Sequence, residues 1–151
     1  GWEQAERKRA SLPATSMEMG DTMSDYTAVI DRFVDLWNED VPARRRALID
    51  DTFTEDAAYV APLVNAEGQE GIDALAAELK AHLPGYTFHR TSELDVNHDF
   101  VRYNWAILPP GGGEPFADGI DIGRFAPDGR LEVVIAFFDK IPVVEGMTTT
   151  F

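Results

Sequence analysis

Four long extended runs fill the second half of the chain and limit what it can fold into. Tyr86 to Ser92, Asp99 to Leu108, Phe116 to Phe125 and Arg130 to Lys140 are rich in β-branched and aromatic residues. Pro109-Pro110-Gly111-Gly112-Gly113 joins the second run to the third. Pro127-Asp128-Gly129 joins the third to the fourth, with proline where a type I turn wants it and glycine behind. Short connections of this kind make antiparallel neighbours, so the runs predict a meander. Long antiparallel strands coil, and a coiled sheet has a hollow side that something must cover.

The first half supplies the cover. Val29, Ile30, Phe33, Leu36 and Trp37 recur at helical spacing behind Ser24, a good N-cap, and Asn38-Glu39-Asp40 closes that helix. Asp40 is placed to cap a second helix with Pro42 in its first turn. Leu48, Ile49 and Phe53 form its buried side, which leaves Arg44-Arg45-Arg46 as a solvated face. Ala57 to Ala61 reads as a short strand ended by Pro62, and Gly71 to Lys80 as a third helix stopped by Pro84-Gly85. Residues 1–23 show no sustained period and read as an N-terminal tail or extension. The compact domain is expected over 24–142, with a C-terminal tail over 143–151. The fold class is α+β: helices laid across a strongly curved antiparallel sheet, with an interior pocket between them.

Composition removes several function classes. The net charge is −14, from 27 acidic and 13 basic residues, so a phosphate backbone or anionic lipid surface is repelled. With no cysteine there is no disulfide framework and no thiolate chemistry. No apolar run approaches the ~20 residues of a membrane span. The opening residues lack the apolar stretch of a signal peptide, and the expected location is cytoplasmic. His82, His89 and His98 lie on separate elements with no i, i+4 pair, so no metal site is expected. No phosphate-binding loop, dinucleotide fingerprint or nucleophile elbow is present, and no cofactor is expected.

The order of elements, with the words DRFVDLWNED, FTEDAAYVAP, EGQEGIDALAAEL and GIDIGRFAPDGRLEVVIAFFD, resembles the NTF2-like superfamily over about residues 25 to 142. The resemblance implies a cone around a pocket and a homodimer through the outer sheet face. Ile120, Ile122, Val133 and Ile135 suit that face. Three enzyme branches can be compared residue by residue. Ketosteroid isomerases carry a base where this chain has Ala61 and a tyrosine where it has Phe33, while Asp121 matches their protonated aspartate. In limonene-type epoxide hydrolases Arg102 and Tyr59 have counterparts, but Asn104 and Ala136 stand where the two aspartates belong. The SnoaL-like polyketide cyclases use an acid/base aspartate that Asp121 matches. It is the branch whose key group is retained.

Residues two apart on a strand share a face, which groups Arg102 with Asn104 and Asp121 with Gly119 and Gly123. If both faces look inward, Arg102, Asn104 and Asp121 form a polar floor. Beside Arg102 the carboxyl of Asp121 would titrate low; away from it, in apolar surroundings, high. Tyr59, Trp37, Phe138, Trp105 and Phe137 are candidate aromatic walls, and His89 a candidate pocket group. Asp139 is expected to be exposed or at a dimer edge.

Two readings follow. One is a cofactor-free cyclase or isomerase acting on a small hydrophobic carbonyl compound, with Asp121 as acid/base and Arg102 in support. The other is a non-catalytic ligand-binding or dimerisation module. The enzyme reading requires Asp121 and Arg102 to line one cavity.

Overall fold

The structure, a computed structural model, describes residues 13–141. The first helix, α1, runs over Pro13–Asn38 and is followed by α2 over Pro42–Thr52. Strands β1 (Phe53–Val60) and β2 (Asn65–Glu67) lead into α3 (Gly68–His82). Five strands complete the chain: β3 (Thr87–Arg90), β4 (Asp95–Asn97), β5 (Phe100–Leu108), β6 (Ala117–Phe125) and β7 (Leu131–Lys140). They form one seven-stranded sheet in the order β2-β1-β7-β6-β5-β3, with β4 also paired to β5. This is the α+β cone expected from the sequence.

The differences from expectation have physical reasons. Ser24 lies inside α1 and not at its start, because the helix already runs from Pro13. Residues 1–12 of the expected N-terminal tail and the whole expected C-terminal tail lie outside the described residues. Asp40 does not cap α2; Val41 is the N-cap residue and Asp40 instead accepts a hydrogen bond from Lys80 at 2.8 Å. The sheet is mixed, since β1 pairs with β7 in parallel. The long stretch between them, which includes α3 and five strands, easily exceeds the dozen or so residues that a parallel pairing needs. Arg45 is not on a solvated face. It is 6% exposed and its Nε donates to Asp73 on α3 at 2.9 Å, tying the two helices together.

The core lies between the helices and the hollow side of the sheet. Val29, Ile30, Phe33 and Leu36 of α1 meet Ile49 of α2, Ile72 and Leu75 of α3, and Phe53, Ala57, Val101, Tyr103 and Val134 of the sheet. Phe33 is the hub. It is fully buried, and the rings of Trp37, Phe53, Tyr59, Phe88 and Tyr103 all lie within 6.4 Å of it, centroid to centroid. Asn38, the last residue of α1, then pins the edge strand β3. Its amide donates to the Phe88 carbonyl at 2.8 Å and accepts from the Phe88 N–H at 2.7 Å, so one side chain satisfies the backbone pair of an unpaired strand edge.

The last hairpin shapes the rest. A tight turn over Ala126 to Gly129 closes with Gly129 at φ 90°, and the register slips beside it. A second slip lies between Asp118 and Gly119, where β6 and β7 come very close. A Cβ on Gly119 would sit 1.8 Å from the Phe137 carbonyl oxygen, so only glycine fits. That approach sets Phe138 opposite Gly119 on the inner face of the sheet.

Candidate functional site

Strand register decides which side chains meet. In β5 and β6 the Cα partners are Tyr103 with Asp121, Trp105 with Gly119 and Val101 with Gly123, while Arg102 pairs with Ile122 and Asn104 with Ile120. Directly opposed residues of an antiparallel pair point to the same face. Asp121 therefore shares the interior with Val101, Tyr103 and Trp105, and Arg102 and Asn104 face outward.

The expected polar floor does not form. Arg102 is exposed, and its Nη2 donates to Asp95 Oδ2 on β4 at 2.7 Å. Asn104 is exposed on the same outer face. His89 is exposed as well, with Nε2 2.8 Å from the Thr87 hydroxyl on its own strand. Phe137 points outward and is 53% exposed. The sequence held a signal against the Arg102–Asn104 placement. Val101, Tyr103 and Trp105 alternate with Arg102 and Asn104, and burying the apolar set turns the polar set out to water.

Asp121 is 1% exposed and is the one acidic side chain buried among the described residues. The Tyr103 hydroxyl donates to its Oδ2 at 2.9 Å. Oδ1 has no hydrogen-bond partner, nor has the indole Nε1 of Trp105. That indole acts on the carboxyl as a second, weaker donor although its geometry falls short of a hydrogen bond. Burial pushes the Asp121 carboxyl up to about 7, and the Tyr103 and Trp105 donors only partly oppose it. The phenols of Tyr103 and Tyr59 are held well above their usual range, first by burial and then by the nearby Asp121 charge. Tyr103 was not singled out from the sequence, because its role follows from sitting opposite Asp121.

Beside this buried group lies a cavity of about 170 Å³. Its wall takes Trp37 from α1, Tyr59 from β1, Leu75 and Leu79 from α3, Phe88 from β3, Trp105 and Ile107 from β5 and Phe138 from β7. Ala61, Leu63 and Val64 of the β1–β2 turn, Leu83, Tyr86, Thr87 and Phe116 complete the lining with Lys80. Of the sequence candidates, Tyr59, Trp37, Trp105 and Phe138 are in this wall. Asp121 is not; it lies behind Tyr59 and Trp105. The lining is almost wholly apolar. Among the described residues no group of three or more His, Asp or Glu side chains is arranged to hold a metal ion, and no helix is long and apolar enough to cross a membrane.

The chain compares with known proteins as follows. The SnoaL-like domain family profile matches residues 30–134. A solved structure from Agrobacterium tumefaciens, provisionally assigned as an isomerase of the SnoaL-like family, is 31% identical. The match covers 77% of this chain and 98% of that one, with a TM-score of 0.72. A SnoaL-like protein from Jannaschia, provisionally assigned as a polyketide cyclase, is 18% identical over 77% of this chain and 86% of its own, TM-score 0.61. An NTF2-like protein of unknown function from Exiguobacterium is 18% identical over 74% and 98%, TM-score 0.60. These last two show the shared fold. No curated protein matches the chain at a significant level.

Proposed function

The chain belongs to the SnoaL-like domain family, and from that premise we propose that its cone binds a small, largely apolar molecule. The observation that carries this is the cavity of about 170 Å³ with its aromatic and aliphatic wall. A concave apolar surface of this kind gains free energy by exchanging water for an apolar ligand. The enzyme reading that rested on Arg102 fails, because Arg102 is on the other side of the sheet from Asp121. A ligand-observed NMR screen of small apolar compounds tests the binding reading. Leu79→Trp should close the mouth, since Leu79 lines the cavity and is 37% exposed, so the fold tolerates the larger ring. Hits that bind the wild type and are lost in Leu79→Trp support the reading; hits untouched by the substitution sink it.

A second reading is favoured by one observation: Asp121 is buried, titrates at about 7 and keeps one oxygen unpartnered. A carboxyl with those properties is suited to take a proton from carbon next to a carbonyl and return it. The substrate must displace Tyr59 or Trp105 to reach it, and for that reason this reading stands second. The relative from Agrobacterium is provisionally an isomerase, a broad class of reactions to which this proton transfer would belong. The test is α-proton exchange of 2-tetralone in D₂O followed by NMR. Exchange catalysed by the wild type and lost in Asp121→Asn, with binding kept, supports acid/base chemistry; equal rates remove it.

The homodimer belongs to the same proposal. Ile120, Ile122, Val133 and Ile135 lie half-exposed on the outer face, next to Phe137. Sedimentation should give a dimer, and a monomer at micromolar concentration overturns this part.

A further inference from the structure

We infer that the cavity selects a flat, uncharged molecule of one or two fused rings and excludes larger ring systems. The inference rests on the ligand-binding reading above and adds the class of ligand. Size comes first. A cavity of about 170 Å³ is close to the roughly 150 Å³ of an apolar site that holds benzene, and below the roughly 300 Å³ where pockets for drug-sized molecules begin.

The shape of the wall comes next. Seven of its sixteen residues are aromatic. Phe88 and Trp105 stack within 22° of parallel, and Phe138 meets Trp105 edge-on at 4.9 Å. Ring faces and edges presented together favour a flat ring slotted among them. This wall is also held from behind. The Phe88 backbone is fixed by two hydrogen bonds to Asn38. Trp105 is 2% exposed. The Phe138 backbone sits against Gly119 so closely that a Cβ there would lie 3.0 Å from its Cα. With its backbone tied, this inner part of the wall resists widening, while Leu63, Val64 and Leu79 form the exposed rim.

Charge completes the selection. Lys80 is the one charged residue in the lining, and its Nζ is 2.8 Å from Asp40 Oδ1. An ionised ligand would lose its hydration and meet no free counter-charge.

Calorimetric titration with 2-naphthol, 2-naphthoate and the steroid androstenedione tests the inference. The first has two rings and no charge, the second two rings and a carboxylate, the third four fused rings. The wild type should bind 2-naphthol at least about tenfold more tightly than either of the others. Phe138→Ala should then bring androstenedione to within about tenfold of 2-naphthol, with Phe138→Leu as the milder opening should the alanine variant not fold. Equal or tighter binding of androstenedione or 2-naphthoate by the wild type overturns the selection while leaving the pocket intact. Silence with all three probes also overturns it, and the binding reading then stands or falls on the screen with Leu79→Trp.

Discussion

The two faces of β5 and β6 place the same chemistry in opposite situations. On the outer face Asp95 and Arg102 pair at 2.7 Å with both side chains more than half exposed. At the end of the same strands Arg124 hydrogen-bonds Asp99, and that contact holds the Asp99 carboxyl below its usual range. On the inner face Asp121 has a phenol and an indole for neighbours and no cation, and burial drives its carboxyl the other way, to about 7. Water is the difference. Outside, solvent and an exposed guanidinium stabilise the charge, so the pair contributes little to the fold. Inside, the ionised form has little to replace its hydration, so protonation and folding become linked.

The sharpest way to break this comparison is pH. Asp121 has a folded pKa near 7 and an unfolded value near the usual one, so the folded state binds the extra proton. Its favourable share of stability is full below about pH 4 and is lost as pH rises through about 7. The loss is on the order of 4 kcal/mol. Asp121→Asn should remove that slope, matching the wild type near pH 4 and exceeding it at pH 8 in urea unfolding. Parallel wild-type and variant profiles would mean that Asp121 stays charged and is otherwise stabilised.

Gly119→Ala should come next, losing about 3 kcal/mol or more because the added methyl meets the Phe137 carbonyl at 1.8 Å. Thermal unfolding reads this directly, and a loss under 1 kcal/mol would show that β7 moves aside freely. Tyr103→Phe should lose roughly 1 to 3 kcal/mol at pH 8, since it takes the hydroxyl from Asp121 Oδ2. It should also raise the Asp121 titration further, because that donor holds it down. Carboxyl ¹³C shifts followed against pH would show the rise, and a fall would contradict the assigned donor. Arg102→Ala sits last, at or below about 0.5 kcal/mol, and its effect should vanish in high salt. A larger, salt-insensitive loss would give the outer face a weight the comparison denies it.

Much of the fold was legible because it rests on periodicity. The stripe from Val29 to Trp37, the helix behind Gly71 and the four extended runs all follow local patterns, and each forms an element in the structure. The short strands β2 and β4 were not legible, since three residues carry no period and exist only because β1 and β5 offer them an edge. The site was legible one strand at a time. The grouping of Gly119, Asp121 and Gly123 on one face was correct, and so was that of Arg102 with Asn104. The error lay in turning both groups inward.

The sequence by itself determined the succession of helices and strands, the residues that share a face on each strand, and the presence of one aspartate between glycines in β6. Those properties depend on neighbours a few positions away, through the geometry of a pleated strand or a helical turn. Only the tertiary structure decided that Tyr103 and not Arg102 stands opposite Asp121, that Tyr59 and Trp105 separate this carboxyl from the cavity, and that the carboxyl titrates near 7. Register and burial are set by contacts between segments far apart in the chain. Alternation in β5 does turn Arg102 and Asn104 outward, but in β6 Ile120 and Ile122 alternate with Asp121, so no local pattern there shows that this acid lies dry.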